Sequence, residues 1–382
     1  MQELVIVGGG FAGTWAAMSA AATRHAHSEE KTGISVVSRL DSLCIRPRLY
    51  EGAKEEMLVP LKPLFDEIGV NLIHDSVESV RGRTLSLHSG RDLEFNSLVL
   101  AAGSAVNIPA CEGAARFGFL VDDFESTRKL DDHLAKLDPA NVTEGTIVVV
   151  GGSFSGIEIV TKLRKRLGEA YRLVLIDRNT RPGSAMGETL ETPVMQALKE
   201  ANIEFWPETS PGQLTSSCLH LSDGRKTPSQ TVIFATGFRA NALSEVISRD
   251  TDTSGRIVVD EMLRVADAVS VFAAGDVASA MADSTHRTLM SCQHAMPMGI
   301  AAGRNAVLDL LGLEPVAYAQ PFYATCLDLG ASGAVFTNGW ERTIVKSGSE
   351  GAAMKAQINT QWIYPPAPSI GRQKIFEMMQ NT

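Results

Sequence analysis

The chain has 382 residues, 44% of them hydrophobic and 21% charged, as expected for a globular protein with a large buried core. Its 35 Lys and Arg residues against 44 Asp and Glu give a net charge of −9, which disfavours nonspecific nucleic-acid binding and polybasic attachment to anionic lipid. The length favours two or three domains.

Five cysteines are scattered through the chain without a CxxC pair, so neither a zinc ribbon nor a thioredoxin-like dithiol is expected. We therefore predict no metal site, and buried thiols in a reducing compartment, the cytoplasm. No basic region precedes the first apolar strand, so no signal peptide is predicted. The cysteines are Cys44, Cys111, Cys218, Cys292 and Cys326.

The first predicted unit opens at residues 4–13, LVIVGGGFAG, an apolar run followed by glycines and a helical pattern. Residues 4–22 contain no charged side chain and are long enough to cross a bilayer. Their glycines and strand-like start instead favour a strand, a glycine turn and a small-residue helix. The sequence therefore predicts no membrane span.

Gly8, Gly10 and Gly13 match the G-x-G-x-x-G pattern of a dinucleotide-binding turn. The first glycine allows a tight turn, the second lets the backbone approach a pyrophosphate, and the third lets helix and strand pack closely. The next strand ends at Ser38 and Arg39, without the acid that usually binds ribose. Ser38 or backbone groups are therefore expected to bind the ribose at this site.

A second copy of the motif begins at residues 148–156, VVVGGSFSG, and again leads into a helical pattern and a strand. Gly151 and Gly156 occupy the first and third positions, whereas Ser153 replaces the middle glycine. Its hydroxyl could donate to a phosphate, although it leaves less room for the close approach. Two copies in strand–turn–helix contexts predict two nucleotide sites.

The second unit carries an acid, Asp177, at the end of its second strand. A carboxylate there favours a nucleotide without a 2′-phosphate, because it binds the ribose hydroxyls. Arg178 and Arg181 lie just beyond and could instead attract that phosphate. NADH and NADPH therefore both remain open.

Three further predicted strands end in a short motif that contains glycine. Residues 256–276 contain a strand, a turn and an apolar strand that ends in Ala-Gly-Asp, and two shorter strands end in Ala-Ala-Gly and Ala-Thr-Gly. Together with the glycine motifs, and in the same order, these segments resemble those of FAD-dependent pyridine nucleotide-disulphide oxidoreductases. The turn residues concerned are Ala102, Gly103, Gly237, Gly275 and Asp276.

The resemblance covers roughly residues 1–315 and is greatest to type II NADH:quinone oxidoreductases. It implies FAD in the first unit, NADH or NADPH in the second, and hydride passing from the pyridine nucleotide to the flavin. A quinone-like or other small organic electron acceptor would then be reduced. Asp276 would bind a ribityl hydroxyl of FAD, and the segment around Arg46 would run along the isoalloxazine.

The resemblance also suggests three residues that act in the reaction. Glu158 matches a glutamate placed near flavin and nicotinamide, and we expect it in the first turn of a helix, where a carboxylate is also favourable without a reactive role. Gln293 and His294 lie where the family carries a quinone-contacting motif. His294 is either a proton donor or a polar residue at a helix start.

The quinone-contacting motif is only partly kept. Cys292 replaces its first alanine and Pro297 its second glutamine, so the acceptor stays open. A disulphide reductase is disfavoured because Cys44 has no neighbouring cysteine, and this thiol stays unassigned. A flavin oxidase or monooxygenase of a biosynthetic pathway, a flavin-based redox sensor, and a second site without pyridine nucleotide remain alternatives.

The predicted fold is α/β, with two Rossmann-like three-layer dinucleotide-binding domains and a small C-terminal α+β cap. The FAD domain is expected at residues 1–112 and 241–318, with the NAD(P)H domain, 113–240, inserted between these parts. The cap would comprise residues 319–382.

Within the cap, residues 323–340 alternate like paired strands, and residues 352–362 resemble a helix. The last segment, residues 371–382, is expected to dock on the body or on a second subunit of a homodimer. We expect a soluble protein.

Overall fold

The computed structural model describes residues 2–29, 31–141 and 145–380. Two five-stranded parallel sheets form its framework, and they differ in that the edge strand comes last in the chain in the first sheet and first in the second. The first sheet has the order Val271–Ala273, Ser97–Leu100, Glu3–Val7, Gly33–Ser38 and Asn71–His74. The second has the order Phe119–Leu120, Thr231–Phe234, Thr146–Val150, Arg172–Ile176 and Ile203–Trp206.

In each sheet the chain order reverses beside the strand that leads into the glycine turn, which creates a crevice at the carboxyl ends of the strands. Strands such as Thr146–Val150 and Ser97–Leu100 are buried along their whole length, as expected for parallel strands covered on both faces. This arrangement confirms the predicted α/β fold with two doubly wound units.

The helices surround the sheets. They are α1 Phe11–Ala26, α2 Leu61–Ile68, α3 Ala114–Phe117, α4 Phe124–Leu134, α5 Phe154–Leu167, α6 Glu188–Glu200, α7 Leu243–Ile247, α8 Cys292–Leu310, α9 Gly348–Gln357 and α10 Arg372–Gln380. Among the described residues, no helix is both long and apolar enough to cross a membrane.

The longest helices, α1 and α8, pack side by side over the first sheet. Alanine is the best helix former, and its short side chain lets two helix backbones approach closely. Ala16 and Ala20 of α1 are fully buried, and Ser19 donates a hydrogen bond to the carbonyl of Ile300, at 2.8 Å. The uncharged stretch at residues 4–22 therefore forms a strand, a turn and a helix, as predicted.

Each unit also carries a small antiparallel sheet that the sequence analysis did not predict. In the first unit it comprises Val77–Arg81, Thr84–Leu87 and Asp92–Glu94. In the second it comprises Pro211–Leu214, Cys218–Leu221 and Lys226–Pro228.

Three further pairs of short strands link neighbouring segments. They are Ser104–Val106 with Phe238–Ala240, Ser42–Cys44 with Leu58–Pro60, and Ile257–Val258 with Ala278–Ser279. The first pair lies where the chain was expected to cross between the two nucleotide-binding domains. The domain boundaries themselves stay a prediction.

The C-terminal region forms a three-stranded antiparallel sheet, Ala324–Asp328, Ala334–Asn338 and Thr343–Lys346, followed by α9. A π-helical turn, Ile358–Trp362, continues α9, so the helix lies close to its predicted position. The predicted strand pair is confirmed, and the third strand was missed.

The last helix, α10, packs against α1. Its residues Ile375, Phe376 and Met379 are buried, and the Phe376 ring lies 5.2 Å from that of His25, centroid to centroid. This confirms docking on the body, the first of the two expectations for the C-terminal segment. The homodimer stays a prediction.

Candidate functional site

The first glycine turn leads from Glu3–Val7 into α1. Gly8 has a φ of +114°, a conformation that side chains disfavour, and its amide donates to the carbonyl of Val37 at 2.8 Å. A Cβ atom on Gly13 would overlap the Gly8 carbonyl oxygen, whereas one on Gly10 would meet no atom within 4 Å. The open space at Gly10, in front of the start of α1, fits a pyrophosphate.

Ser38 lies beside this turn at the end of its strand. Its side chain is buried and donates to the carbonyl of Leu40 at 2.6 Å. Arg39 is exposed, and its carbonyl accepts from His74 Nε2 at 2.8 Å. Ser38 therefore lies next to the turn, with its hydroxyl proton already used within the chain, and its role at the ribose stays a prediction.

The crevice of the first unit also contains Asp276. Ser104, directly after Ala102 and Gly103, donates to Asp276 Oδ2 at 2.6 Å, and Arg46 Nη1 lies 4.0 Å from the same oxygen. The Arg46 guanidinium also pairs with Asp122.

Gly275 precedes Asp276 and has a φ of +75°, so this turn requires glycine as well. The first unit thus combines an open glycine turn with a partly exposed carboxylate and a guanidinium at the end of its sheet. Such a set suits the phosphate and polyol groups of FAD.

The second glycine turn repeats the first. Gly151 has a φ of +111°, and a Cβ atom on Gly156 would overlap its carbonyl oxygen. Ser153 is the N-cap of α5, but its side chain accepts no hydrogen bond from the helix amides. The hydroxyl thus remains available to a phosphate.

Asp177 faces this second turn. Its carboxylate accepts hydrogen bonds from the amides of Gly152 and Asn179, the latter at 2.8 Å. These two donors fix the carboxylate beside the turn, where it can accept from ribose hydroxyls. Gly237 follows Thr231–Phe234, the neighbouring strand, with a φ of +84°, and its carbonyl accepts from Asn107 at 2.9 Å.

Glu158 forms a buried ion pair with Lys355 of α9. Lys355 Nζ lies 2.7 Å from Glu158 Oε1, and the amide of Asp328 donates to the same oxygen at 3.0 Å. Burial raises the pKa of Glu158, and the Lys355 charge offsets this only in part. The Glu158 charge and hydrogen bond outweigh burial at Lys355 and raise its pKa.

The expectation that Glu158 lies in the first turn of its helix is wrong. α5 begins at Phe154, so Glu158 is one turn further in, and its partners come from the C-terminal region rather than from the helix start. Its position is therefore not explained by helix-end electrostatics.

Polar groups around Tyr50 extend this pair. Tyr50 donates to Asp328 Oδ2 at 3.0 Å and accepts from Asn359 at 3.2 Å, and Lys162 lies 3.8 Å from the same Asp328 oxygen. Burial, followed by the charges of Glu158 and Asp328, raises the pKa of Tyr50, so the phenol stays protonated. Sequence reasoning missed Lys355 and Asp328, because they lie far from the glycine motifs in the chain.

Residues 293–299 lie in the first two turns of α8. Ser291 is its N-cap and accepts from the amide of His294. Pro297 lacks an amide proton, which leaves the Gln293 carbonyl without its helical partner. The side-chain amide of Gln320 donates to that carbonyl instead, at 3.0 Å.

The Gln293 side chain contacts the first strand of the C-terminal sheet. In the amide orientation that satisfies both groups, it donates to the carbonyl of Ala324 at 2.6 Å and accepts from its amide at 3.1 Å. The residue predicted to contact an acceptor therefore joins α8 to the C-terminal sheet.

His294 is fully buried and stacks near Tyr323 and Trp340, at centroid distances of 5.7 and 5.8 Å. Its Nδ1 lies 3.0 Å from Gln320 Oε1, and its Nε2 has no partner among the described residues. Burial lowers the pKa of His294, so the ring is neutral at pH 7. Its contacts also belong to the junction between α8 and the C-terminal region.

All five cysteines are free. Only Cys111 is buried and the other four are half-buried, so the prediction of buried thiols is correct for one residue. Burial raises the pKa of both Cys44 and Cys292 to about 11, which keeps these thiols protonated at pH 7.

The comparisons with known proteins agree with this geometry. Residues 2–299 match the family model described as pyridine nucleotide-disulphide oxidoreductase. An NADH dehydrogenase-like protein of Mycobacterium tuberculosis is 38% identical over 380 residues, which cover 96% of this chain and 95% of the relative. A demethylphylloquinone reductase of Synechocystis is 26% identical over 352 residues, with 88% of this chain and 86% of the relative covered.

A solved structure with the same fold is NDH2 from Plasmodium falciparum in complex with NADH. It matches with a TM-score of 0.80 over 99% of this chain and 97% of that one, at 11% identity. The fold, the two glycine turns and the family match lead to one conclusion. The chain belongs to the pyridine nucleotide-disulphide oxidoreductase family and is an NAD(P)H oxidoreductase, with FAD and NADH or NADPH as its cofactors.

Proposed function

We propose that this enzyme oxidises NADH or NADPH and reduces a quinone-like or other small organic acceptor. Bound FAD supplies the redox chemistry, accepting a hydride and returning two electrons. The observation that carries the proposal is the pair of glycine turns at the crevices of two sheets, together with a buried ion pair between α5 and the C-terminal region.

The names of the relatives support a quinone-like acceptor. Besides the NADH dehydrogenase-like protein and the demethylphylloquinone reductase, a type II NADH:quinone oxidoreductase of Staphylococcus aureus is 22% identical over 393 residues. It is covered over 95% of its own length, so the likeness includes the C-terminal region and is not confined to the nucleotide-binding units.

In this proposal the first unit binds FAD. The turn from Gly8 to Gly13 faces the pyrophosphate, and Asp276 accepts a hydrogen bond from the polyol. Arg46, held by Asp122, contributes positive charge at the same end of the crevice. The second unit binds the pyridine nucleotide, with Asp177 on its ribose and Ser153 near its pyrophosphate.

The ion pair of Glu158 and Lys355 is proposed to supply a proton. Reduction of a quinone to a quinol takes up two electrons and two protons, whereas a hydride carries two electrons and one proton. The second proton must come from the protein or from water. Glu158 is suited to hold it, because burial raises its pKa and Lys355 can donate a hydrogen bond to either form.

Gln293 and His294 are proposed to position the C-terminal region rather than to transfer protons. Both residues contact that region through hydrogen bonds or ring stacking. A neutral, buried His294 is also a weak proton source at pH 7.

An anaerobic titration tests the proposed function. We expect NADH or NADPH to bleach the flavin absorbance of the purified protein, and a soluble quinone to restore it without oxygen. No bleaching with either nucleotide would contradict the proposal. Bleaching that only oxygen reverses would indicate a flavin oxidase instead.

Glu158→Gln tests the proton role separately. We expect the variant to be bleached by NADH at nearly the wild-type rate but to reduce the quinone about a hundredfold more slowly, the lower end of what general acid catalysis typically contributes. An equal loss in both half-reactions would assign Glu158 to nucleotide binding or folding instead.

A further inference from the structure

The loop after Asp177 lies against the second glycine turn. The amide of Gly183 donates to the carbonyl of Gly152 at 2.8 Å, while the Asp177 carboxylate accepts from the amide of Gly152. Both ends of the loop are therefore attached to the same residue of the turn. The side chains between them border the position of a ribose bound by Asp177.

Arg181 in this loop is paired away from that position. Its Nη1 lies 3.0 Å from Glu191 Oε2, in the first turn of α6. The Arg181 side chain is 69% exposed and the Glu191 side chain only 16%, so the arginine is open to solvent whereas the acid is largely enclosed. Arg178, the other cation of the loop, is exposed.

We propose that Glu191 holds Arg181 away from the ribose 2′-position and thereby sets a preference for NADH over NADPH. A 2′-phosphate is a strong acceptor for a guanidinium, and arginine binds it in a forked geometry. Glu191 competes for the same donors and cancels the same charge. The inference rests on the proposed function, because it concerns the nucleotide site of the second unit.

The balance of charge around the site supports the assignment. The loop and its partner contain two arginines, Arg178 and Arg181, and two acids, Asp177 and Glu191, so a 2′-phosphate meets no net positive charge there. Removal of Glu191 leaves one uncompensated arginine. The chain then has a cation that can bind the phosphate, without any new residue.

Direct binding of two adenine nucleotides tests the assignment. Adenosine 2′,5′-bisphosphate and 5′-AMP differ only in the 2′-phosphate, and calorimetry measures both without turnover. We expect Glu191→Ala to tighten binding of the bisphosphate about fivefold and to leave 5′-AMP unchanged, the size expected for one exposed ion pair. Glu191→Ala/Arg181→Ala should return to the wild-type value, which separates Arg181 from Arg178.

The chain provides a matched control. Arg172 and Glu204 form an exposed ion pair at 2.7 Å at the opposite end of the strand that leads to Asp177. Glu204→Ala changes the net charge by the same amount and also frees an arginine, so it should leave both nucleotides unaffected. If Glu191→Ala and Glu204→Ala tightened binding of the bisphosphate equally, the effect would come from the overall charge of the protein, and the assignment would be wrong.

Other outcomes are also decisive. If Glu191→Ala is folded, as its melting temperature shows, and binds the bisphosphate as the wild type does, the assignment is wrong. If the alanine variant unfolds, Glu191→Gln repeats the test. Anaerobic bleaching of the wild-type flavin by NADH or NADPH separates the two failures. Without bleaching the proposed function fails, whereas bleaching with an unchanged bisphosphate affinity refutes only the role of Glu191.

Discussion

The two glycine turns have nearly the same backbone and different surroundings. The φ angles of Gly8 and Gly151 are +114° and +111°, and in both turns the third glycine packs on the carbonyl of the first. The strand beside the first turn ends in Ser38, which bonds within the chain, and the strand beside the second ends in Asp177, which faces the turn. In the proposed function, the similar backbones bind phosphate and the different neighbouring side chains select the nucleotide.

The helices after the two turns differ as well. Two residues after the third glycine, α1 has Trp15, which is buried beside Phe11, with the ring centroids 5.9 Å apart. At the same place α5 has Glu158, paired with Lys355. The first unit therefore places an apolar residue where the second places a titratable one. This difference suggests that only the second unit joins proton chemistry to nucleotide binding.

The largest effect is expected from adding one methyl group to either turn. Gly13→Ala and Gly156→Ala both place a Cβ atom on a backbone oxygen, and such overpacking costs about 1–3 kcal/mol or more. We expect Gly13→Ala to lose more than about nine-tenths of its flavin, and Gly156→Ala to keep its flavin but resist bleaching by NADH. Flavin content and anaerobic bleaching measure the two results. If Gly156→Ala lost its flavin and Gly13→Ala kept it, the second unit would bind FAD and the first unit the pyridine nucleotide.

The buried ion pair of the second unit should affect stability next most strongly. Glu158→Leu leaves the Lys355 ammonium buried without its counter-charge and without the carboxyl oxygen that accepts its hydrogen bond, and breaking such a pair costs about 3 kcal/mol in free energy of unfolding. Glu158→Leu/Lys355→Met should recover much of that loss, because it removes both charges. Urea denaturation of the wild type and the variants measures the difference. A double variant no more stable than Glu158→Leu would show that the site needs polar partners.

The same carboxyl group should make stability depend on pH. Burial raises the folded pKa of Glu158 above its ordinary value of 4.5, so the folded protein binds this proton more tightly than the unfolded chain does. The stabilisation that comes from this tighter proton binding is complete below the pKa of Glu158 in the unfolded chain. It is lost as the pH rises through the pKa of Glu158 in the folded protein. We expect the stability of the wild type relative to Glu158→Gln to fall over this interval, measured by denaturation at several pH values. A constant difference would mean that the pKa of Glu158 is the same in both states.

A smaller effect is expected at the ribose position. Asp177→Ala removes the carboxylate that accepts from Gly152 and Asn179, and with it the proposed acceptor for ribose. We expect the KM for NADH to rise about tenfold with little change in kcat, since one charged hydrogen bond is lost from uniform binding. Ser38→Ala is the matched change in the first unit and should leave this KM unaffected. A fall in kcat alone would place Asp177 in the reaction instead.

The smallest effect is expected at Ser153. Ser153→Gly restores the complete glycine motif but removes a hydroxyl that is not used to cap α5. We expect binding of NAD⁺ to weaken about threefold, the size of one neutral hydrogen bond, as measured by calorimetry. Tighter binding would mean that the closer approach allowed by glycine outweighs the hydroxyl.

Sequence predicts the parts of this molecule that depend on local rules. The glycine turns, the parallel strands and the strand ends at Gly103, Gly237 and Asp276 follow from spacing and residue type over a few tens of positions. The missing helical hydrogen bond to the Gln293 carbonyl can also be predicted from the nearby sequence, because Pro297 lies four residues further along the chain. Position within a helix was harder, because the start of α5 depends on the tightness of the preceding turn.

Partners distant in the chain could not be read from one sequence. Lys355 lies 197 residues from Glu158, and nothing around it distinguishes it from a surface lysine. Gln320 and Ala324, which bind Gln293, lie in segments without a motif. Such pairings arise only when the C-terminal sheet folds onto α5 and α8, and their signal would be covariation among related chains.

Pro297 also has a consequence for how the molecule tolerates change. By removing one amide proton from α8, it exposes a carbonyl that recruits Gln320 from another part of the chain. A residue that normally interrupts a helix thus serves as an attachment point for the region that follows. Replacing Pro297 by an ordinary residue would strengthen the helix and, in the same step, loosen its hold on that region. Positions 297 and 320 should therefore be inherited as a pair.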